Sequence, residues 1–233
     1  MKIKNLLALL IVLVVLLNAC KKNGTVETPT KKLKYLTQVI AVNGTTTTFT
    51  DYTYDDQKRL TTIKTGGTTI TYTYNGDNVF SIEKSYPDGG KEVNELAYAD
   101  GKLQTMSLKN YSNNSFLNEA SFGFVYNGDK LTEIHQDGHI SYFYYDNNVV
   151  KQQGEGYAIT YSYDNKKSKF ANLPPALKNI AFQIRQPEYF SQNNIISIDR
   201  GVNGINTYTY TYDSDGYPTG AANGNVKYTY TEL

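Results

Sequence analysis

Along most of this chain, hydrophobic and polar positions alternate with a period of two. Tyr208-Thr209-Tyr210-Thr211-Tyr212 places three tyrosines on one face and two threonines on the other, because side chains alternate across an extended strand. Ile70-Thr71-Tyr72-Thr73-Tyr74 and Ile159-Thr160-Tyr161-Ser162-Tyr163 repeat the arrangement. Tyrosine and threonine favour extended backbone, and strict alternation marks strands with one half-buried face. Between these runs stand Asn75-Gly76-Asp77-Asn78, Ala99-Asp100-Gly101-Lys102, Asn127-Gly128-Asp129-Lys130 and Asp213-Ser214-Asp215-Gly216. Such residues tolerate positive φ and form tight hairpin turns.

The alternation is organised into a repeated phrase. Tyr52-Thr53-Tyr54-Asp55 runs on to Arg59-Leu60 and Ile63, and Tyr72-Thr73-Tyr74-Asn75 to Asn78-Val79 and Ile82. The phrase returns at Tyr98, Phe124/Tyr126, Tyr144/Tyr145, Tyr161/Tyr163, Tyr210/Tyr212 and Tyr228/Tyr230. One repeated supersecondary unit predicts one stacked or meandering architecture rather than a mosaic of domains. The two aliphatics in Leu60/Ile63 and Leu131/Ile134 would lie on opposite faces of a regular strand. Either a bulge intervenes or both faces are covered, and both outcomes fit a strongly curved sheet. The stretch from Tyr163 to Tyr212 is much longer than the other spacings. Within it Leu173-Pro174-Pro175 leads into Ala176, Leu177, Ile180, Ala181 and Ile184, apolar at helical spacing after a proline suited to a first turn. The fold class expected is all-β: an antiparallel meander of repeated hairpins forming a strongly curved, barrel-like or half-open sheet, with one short helix near 175–184.

Composition shapes the interior of such a sheet. With 22 tyrosines and no tryptophan, much of the apolar area carries hydroxyls that need partners, so a partly polar interior is expected. At the N-terminus Lys2 and Lys4 precede an apolar run from Leu6 to Leu17, closed by Leu17-Asn18-Ala19-Cys20. This has the charged start, apolar stretch and small residue of a secretory signal, and the run is too short to span a bilayer. Residues 1–19 are therefore expected to be a signal peptide and residues 20–32 a flexible tether. A single domain follows over 33–233. Without Lys2 and Lys4 the 23 basic residues fall just below the 22 acidic ones, and a near-neutral body offers no electrostatic footprint for nucleic acid.

Leu17-Asn18-Ala19-Cys20 resembles the lipobox of bacterial lipoproteins, in which the cysteine is lipidated after cleavage; Cys20 is also the only cysteine in the chain. The phrase Tyr-x-Tyr-Asp followed by Arg/Lys-Leu-x-x-Ile resembles the YD (tyrosine-aspartate) repeat of RHS-type proteins. The chain is more closely similar to a group of Bacteroidota lipoproteins of unknown function with a porin-like β fold. There the repeats are interrupted by a segment like Tyr163-Asp164-Asn165-Lys166-Lys167-Ser168-Lys169-Phe170, a short helix, and a phrase like Tyr189-Phe190-Ser191-Gln192-Asn193-Asn194. These parts occur here in the same order, so the resemblance covers 33–233. It implies a curled β shell in the cell envelope and no established activity. Surface-displayed lipoproteins of this phylum tend to carry acidic residues after the lipidated cysteine. Lys21-Lys22-Asn23-Gly24 stands there instead, which favours the periplasmic face of the outer membrane.

Candidate chemistry is sparse. His135 and His139 flank Gln136-Asp137-Gly138, and a tight hairpin bringing both imidazoles to Asp137 or Glu133 would offer zinc ligands; ordinary Asp-Gly turn chemistry is the plainer reading. Asp213-x-Asp215-Gly216 opens like a calcium loop, but the downstream acid of an EF-hand would fall at Gly224. No Gly-x-Ser-x-Gly elbow or phosphate-cradling loop is present. No cofactor is expected. The tyrosines remain: Tyr208, Tyr210, Tyr212, Tyr228 and Tyr230 could form an exposed ladder for a sugar or lipid, or a set of cross-strand pairs holding the sheet together. The expected function is non-enzymatic binding of a glycan, lipid or envelope protein by a shell anchored to the membrane through Cys20. A structural shell component and, behind it, a glycan-acting enzyme are the alternatives.

Overall fold

A computed structural model of the chain describes residues 33–173, 177, 187–189 and 191–233. Strands alternate with tight turns throughout. The first are β1 (Lys34–Asn43), β2 (Thr46–Tyr54), β3 (Leu60–Thr65), β4 (Thr68–Asn75), β5 (Asn78–Ser85) and β6 (Gly90–Ala99). The longest are β7 (Lys102–Ser112) and β8 (Ser115–Asn127). Then come β9 (Lys130–Gln136), β10 (His139–Tyr145), β11 (Val149–Gly154) and β12 (Tyr157–Tyr163). Beyond an insertion lie β13 (Ile195–Asp199), β14 (Ile205–Thr207), β15 (Tyr210–Tyr212), β16 (Pro218–Ala221) and β17 (Val226–Glu232).

All seventeen belong to one antiparallel sheet, an all-β meander as expected. Because β1 pairs with both β2 and β17, the sheet curls until its first and last strands are neighbours. It is not closed by hydrogen bonds all the way round. No ladder joins β14 to β15, which succeed each other along the chain; β14 pairs back to β13 and β15 forward to β16. Across this step the backbone links run through Tyr208 and Thr209, which bond in opposite directions, Tyr208 N–H to the Ile196 carbonyl and Ala222 N–H to the Thr209 carbonyl.

The repeated phrase has a local physical meaning. Wherever a Tyr-x-Tyr strand meets the next aliphatic strand, the register slips by one residue. Thr53 faces Thr62 but Tyr54 faces Leu60, leaving Thr61 as an extra residue. The same slip occurs at Tyr74/Val79, Tyr98/Leu103, Tyr126/Leu131, Tyr145/Val149, Tyr163/Ile195, Tyr212/Pro218 and Tyr230/Leu36. A bulge of this kind shifts the alternation by one position. That is how Leu60 and Ile63, three residues apart, are both buried in the same core. Val79/Ile82, Leu103/Met106 and Leu131/Ile134 behave alike. The extra residue is often threonine, whose hydroxyl caps the bulge by donating to the facing carbonyl: Thr61 to Thr53 (3.0 Å), Thr132 to Val125 (3.2 Å) and Thr37 to Thr229 (3.1 Å).

At several bulges the tyrosine ties one unit to the one before it. Tyr54 donates its hydroxyl to the Leu36 carbonyl at 2.9 Å, Tyr74 to Leu60 at 2.8 Å, Tyr163 to Val149 at 2.7 Å and Tyr230 to Pro218 at 2.9 Å. Each acceptor is the bulge aliphatic, or the proline in its place, of the preceding unit. Between β13 and β15 the tie shifts one position inward, from Tyr210 to the Ile195 carbonyl (2.9 Å). The Tyr98 and Tyr126 hydroxyls are buried and reach no partner among the described residues. The last unit is divided between the chain ends: β17 supplies Tyr228 and Tyr230, and β1 supplies Leu36 and Val39.

Aspartate closes the turn of the phrase. Asp55 accepts the N–H groups of Gln57 and Arg59 on Oδ1, both at 2.9 Å, and its own N–H donates to the Arg59 carbonyl. Burial alone would raise its carboxyl, but these donors and the Arg59 guanidinium hold it below the usual carboxylate range. Asp213 does the same with Asp215 and Tyr217. Asp164 uses the same clamp on a much larger loop. Its Oδ1 accepts Lys166 N–H (2.9 Å) and Asn194 N–H (3.1 Å), and its N–H donates to the Asn194 carbonyl. The insertion is therefore an enlarged hairpin turn, after which Ile195 resumes the repeat. It folds back into the shell: Phe170, Leu173 and Leu177 join the core, with the Phe170 ring 6.1 Å from that of Tyr52 on β2. Asn172 donates to the Lys34 carbonyl and the Tyr217 hydroxyl, both at 2.8 Å. Of the helix expected near 175–184 only Leu177 is described; it is helical and buried, and the rest lies outside the described residues.

Two outcomes are expected of this wall. Tyr74→Phe should cost about 1–2 kcal/mol in urea unfolding, because it leaves the Leu60 carbonyl without its donor. Tyr98→Phe and Tyr126→Phe should be neutral or stabilising; equal losses at all three would sink the tie as the source of stability. Burial also pushes the phenols of Tyr52, Tyr98, Tyr126 and Tyr161 up to about 12 from an ordinary 10.0. The unfolded chain therefore ionises first, and stability should be complete below pH 10 and fall as the pH rises toward 12. Urea midpoints followed against tyrosinate absorbance would show it.

Candidate functional site

Short hairpin turns crown one end of the shell, and below those between β9 and β12 the inner face is hollowed. The cavity measures about 280 Å³ and is lined by residues of β8 to β12 and the Glu155 turn. Alternation explains its composition. Gln136 faces His139 across the β9–β10 ladder, Ile134 faces Ser141, and Phe143 faces Gln152 on β11, so all six sit on the inner side. Phe122 enters from β8 and Tyr157 from the start of β12.

A hydrogen-bonded chain forms its wall. Tyr161 donates to Gln152 Oε1 at 3.2 Å, Gln152 Nε2 donates to the Tyr157 hydroxyl at 3.3 Å, and the Tyr157 and Ser141 hydroxyls lie 2.8 Å apart. Burial pushes the Tyr161 phenol up to about 12, so it remains a donor. Gln152 is only 2% exposed. It occupies the slot that holds Ile63, Ile82, Met106, Ile134 and Ile198 in other units, three residues beyond the bulge aliphatic, here Val149. A buried amide where the repeat puts a hydrocarbon stands only because its polar atoms are partnered. Gly154 makes the arrangement sterically feasible. A Cβ there would sit 2.4 Å from Cε1 and 2.8 Å from the hydroxyl of Tyr157, so the ring lies across a position where any side chain would displace it.

The rim carries the imidazole and the carboxylate of the cavity lining. His139 Nδ1 pairs with Glu155 at 3.2 Å, and both side chains are largely exposed. His135 points the other way. Facing Ile140 in register, it lies on the outer side of the sheet and pairs with Glu133 at 2.7 Å. The hairpin does not bring the two imidazoles together, since neighbouring positions of β9 alternate across the sheet. Among the described residues no three His, Cys, Asp or Glu side chains are grouped to hold a metal ion. The Asp213 loop has a lysine where a calcium loop has its ion: Lys34 Nζ lies 2.7 Å from Asp213 Oδ2 and 2.9 Å from Asp215 Oδ2.

The five tyrosines proposed as a ladder are half-buried, with Thr209, Thr211 and Thr229 exposed on the opposite face. Tyr208, Tyr228 and Tyr230 pack against the core. The hydroxyls of Tyr210 and Tyr230 bond to wall carbonyls, and that of Tyr212 bonds to the Asp164 carboxylate. Cys20 lies outside the described residues. Gln136, Ser141, Gln152 and Tyr157 were not singled out from the sequence. The available signal was the Val149-x-x-Gln152 step, the polar member of an otherwise apolar series.

No family model and no curated protein matches the sequence. Solved structures do. A porin-like protein from Bacteroides uniformis aligns over 86% of this chain and 96% of its own, with 16% identity and a TM-score of 0.53. A porin-like protein from Bacteroides vulgatus aligns over 86% of this chain and 100% of its own, with 11% identity and a TM-score of 0.43. At these identities the first likeness establishes a shared fold.

Gly154→Ala should expel the Tyr157 ring and break its contacts to Ser141 and Gln152. The expected loss is about 1–3 kcal/mol in thermal unfolding, with the Tyr157 ring resonances shifting toward those of a solvated tyrosine. An unmoved ring would show that the close packing of Gly154 against Tyr157 does not build the site.

Proposed function

We propose that this protein is a non-catalytic, envelope-associated binding shell that seats a small ligand in the cavity between β8 and β12. The observation that carries this reading is Gln152: a buried amide in the one slot where neighbouring units place hydrocarbon, wired to three hydroxyls around a hollow. Ligand sites combine apolar walls with a few convergent polar groups, and Phe122, Ile134 and Phe143 supply the apolar part. A glycosidase would need two facing carboxylates, whereas Glu155 alone contributes one to this lining. That balance favours binding over hydrolysis. A purely structural shell is the second reading, supported by the continuous hydrophobic cluster and inserted loop that fill much of the interior.

The envelope setting is supported by the lipobox-like Leu17-Asn18-Ala19-Cys20 and by the porin-like name of the structure of similar fold. In this reading Cys20 carries the lipid, residues 21–32 tether the shell, and Lys21 and Lys22 lie at the headgroups of the periplasmic face. The shell itself is taken to stand outside the bilayer. Spanning strands need an apolar outer belt, yet Thr53, Thr71, Thr73, Thr160, Ser162, Thr211 and Thr229 are exposed on the outer side.

Native mass spectrometry of the gently purified full chain should show a bound small-molecule mass that is absent from Gln152→Leu. A ligand-free protein under all purification conditions would return the weight to the structural reading. Cys20→Ser should move the protein from the membrane to the soluble fraction with its β-type circular dichroism intact.

A further inference from the structure

The geometry points to a neutral polyhydroxylated ring, a single sugar unit, as the ligand class of the cavity between β8 and β12. This inference rests on the binding reading above and adds the chemistry of what is bound.

Three features select the class. The first is charge. No lysine or arginine lines the cavity, and its two ionisable residues, His139 and Glu155, stand at the rim paired with each other. A phosphate, sulfate or carboxylate would meet no cation inside, and an amine would find only a carboxylate already engaged and open to solvent. Desolvating a charged group without a partner is strongly unfavourable, so the ligand is neutral.

The second is the donor and acceptor set. Gln136 and Gln152 each present an amide, which offers two N–H donors and an acceptor oxygen in one plane. Only one Gln152 N–H is used within the protein, and the Gln136 amide has no protein partner among the described residues. Ser141 and Tyr157 each add a hydroxyl that can give or accept. Planar amides and rotatable hydroxyls together match adjacent hydroxyls on a ring, each of which is donor and acceptor at once. An acyl chain would leave the Gln136 amide and the second Gln152 N–H unpaired.

The third is size and surface. About 280 Å³ is just under the roughly 300–1,000 Å³ of sites for drug-sized molecules, which suits one ring rather than an extended chain. Phe122, Phe143 and the Tyr157 ring provide apolar surface against which the C–H face of a sugar packs while its hydroxyls meet the amides. Gln136 sits near the rim and Gln152 at depth, so the two amides would grip opposite edges of one ring.

Saturation-transfer NMR on the full chain in detergent tests this with D-glucose, D-galactose and N-acetyl-D-glucosamine, set against glucose 6-phosphate, glucuronate and the neutral 1-hexanol. At least one neutral sugar should receive saturation from the aromatic protons and compete with the others, while the two anions and the alkyl probe do not. Gln136→Leu, at a half-buried position outside the hydrophobic cluster, should weaken that sugar about tenfold, equivalent to about 1.4 kcal/mol. Gln152→Leu should weaken it further. An anion or hexanol binding better than every neutral sugar would overturn the sugar class and leave the binding function standing. Sugar binding unaffected by Gln136→Leu would place it elsewhere and overturn this assignment. Silence from every probe, together with a ligand-free mass in the native spectrum, would remove both the sugar class and the binding reading.

Discussion

The hydrogen bond from a tyrosine hydroxyl to the backbone carbonyl of the preceding unit is the constraint on which this shell depends. It forms beside the bulge that follows a Tyr-x-Tyr strand, and its acceptor is the carbonyl of the bulge aliphatic of the unit before. Beyond the ends of the backbone ladders, neighbouring strands are pinned in this way from Tyr54 on β2 to Leu36 on β1 and from Tyr74 on β4 to Leu60 on β3. The ring bridges the distance and the hydroxyl fixes the register. This explains how a chain rich in tyrosine, with modest aliphatic content, can line a strongly curved wall with phenols and give several of them a partner.

The same bulge sets what the interior contains. By bringing residues three apart to one face, it doubles the inward aliphatics each short strand contributes, so Leu60 and Ile63 both serve the core. Its regularity also creates the one conspicuous exception. When Gln152 takes an aliphatic slot, the surrounding unit has to supply hydroxyls, and it does so through Tyr157, Tyr161 and Ser141, with Gly154 making room. The cavity is thus a local edit of a repeated pattern rather than a separate structure grafted onto it.

Much of this was legible in the sequence, and the limits have physical causes. Alternation around Tyr208–Tyr212 and the Asn-Gly and Asp-Gly turns revealed the hairpins, because strand and turn chemistry is local. The three-residue spacing of Leu60 and Ile63 posed the question of a bulge or two covered faces, which only the ladder register answers. The long step from Tyr163 to Tyr212 marked the insertion, but not that Asp164 and Asn194 clamp it as one enlarged turn, since that pairing spans 30 residues. Gln152 escaped notice because a glutamine in a strand signals nothing until the equivalent positions of the repeat are aligned with it. His135 and His139 invited a metal because they flank a turn; their register puts them on opposite sides of the sheet. The tyrosines of β15 and β17 left a recognition ladder and cross-strand pairs both open, because sequence shows where side chains alternate, not which face turns inward.

The unit divided between β17 and β1 has a consequence for where such a chain can begin. Tyr230 meets Leu36, and Thr37 caps the bulge by donating to Thr229, as Thr61 does for Thr53 inside a continuous unit. The joint between the two ends of the polypeptide is thus built like the joint between β2 and β3. Nothing in its chemistry marks it as a seam, so the succession of units runs on through it while the order along the gene is linear. A gene opened at another turn, with the present ends linked, would encode the same succession of ties. The location of the ends is then free to answer to a demand other than the chemistry of the joint.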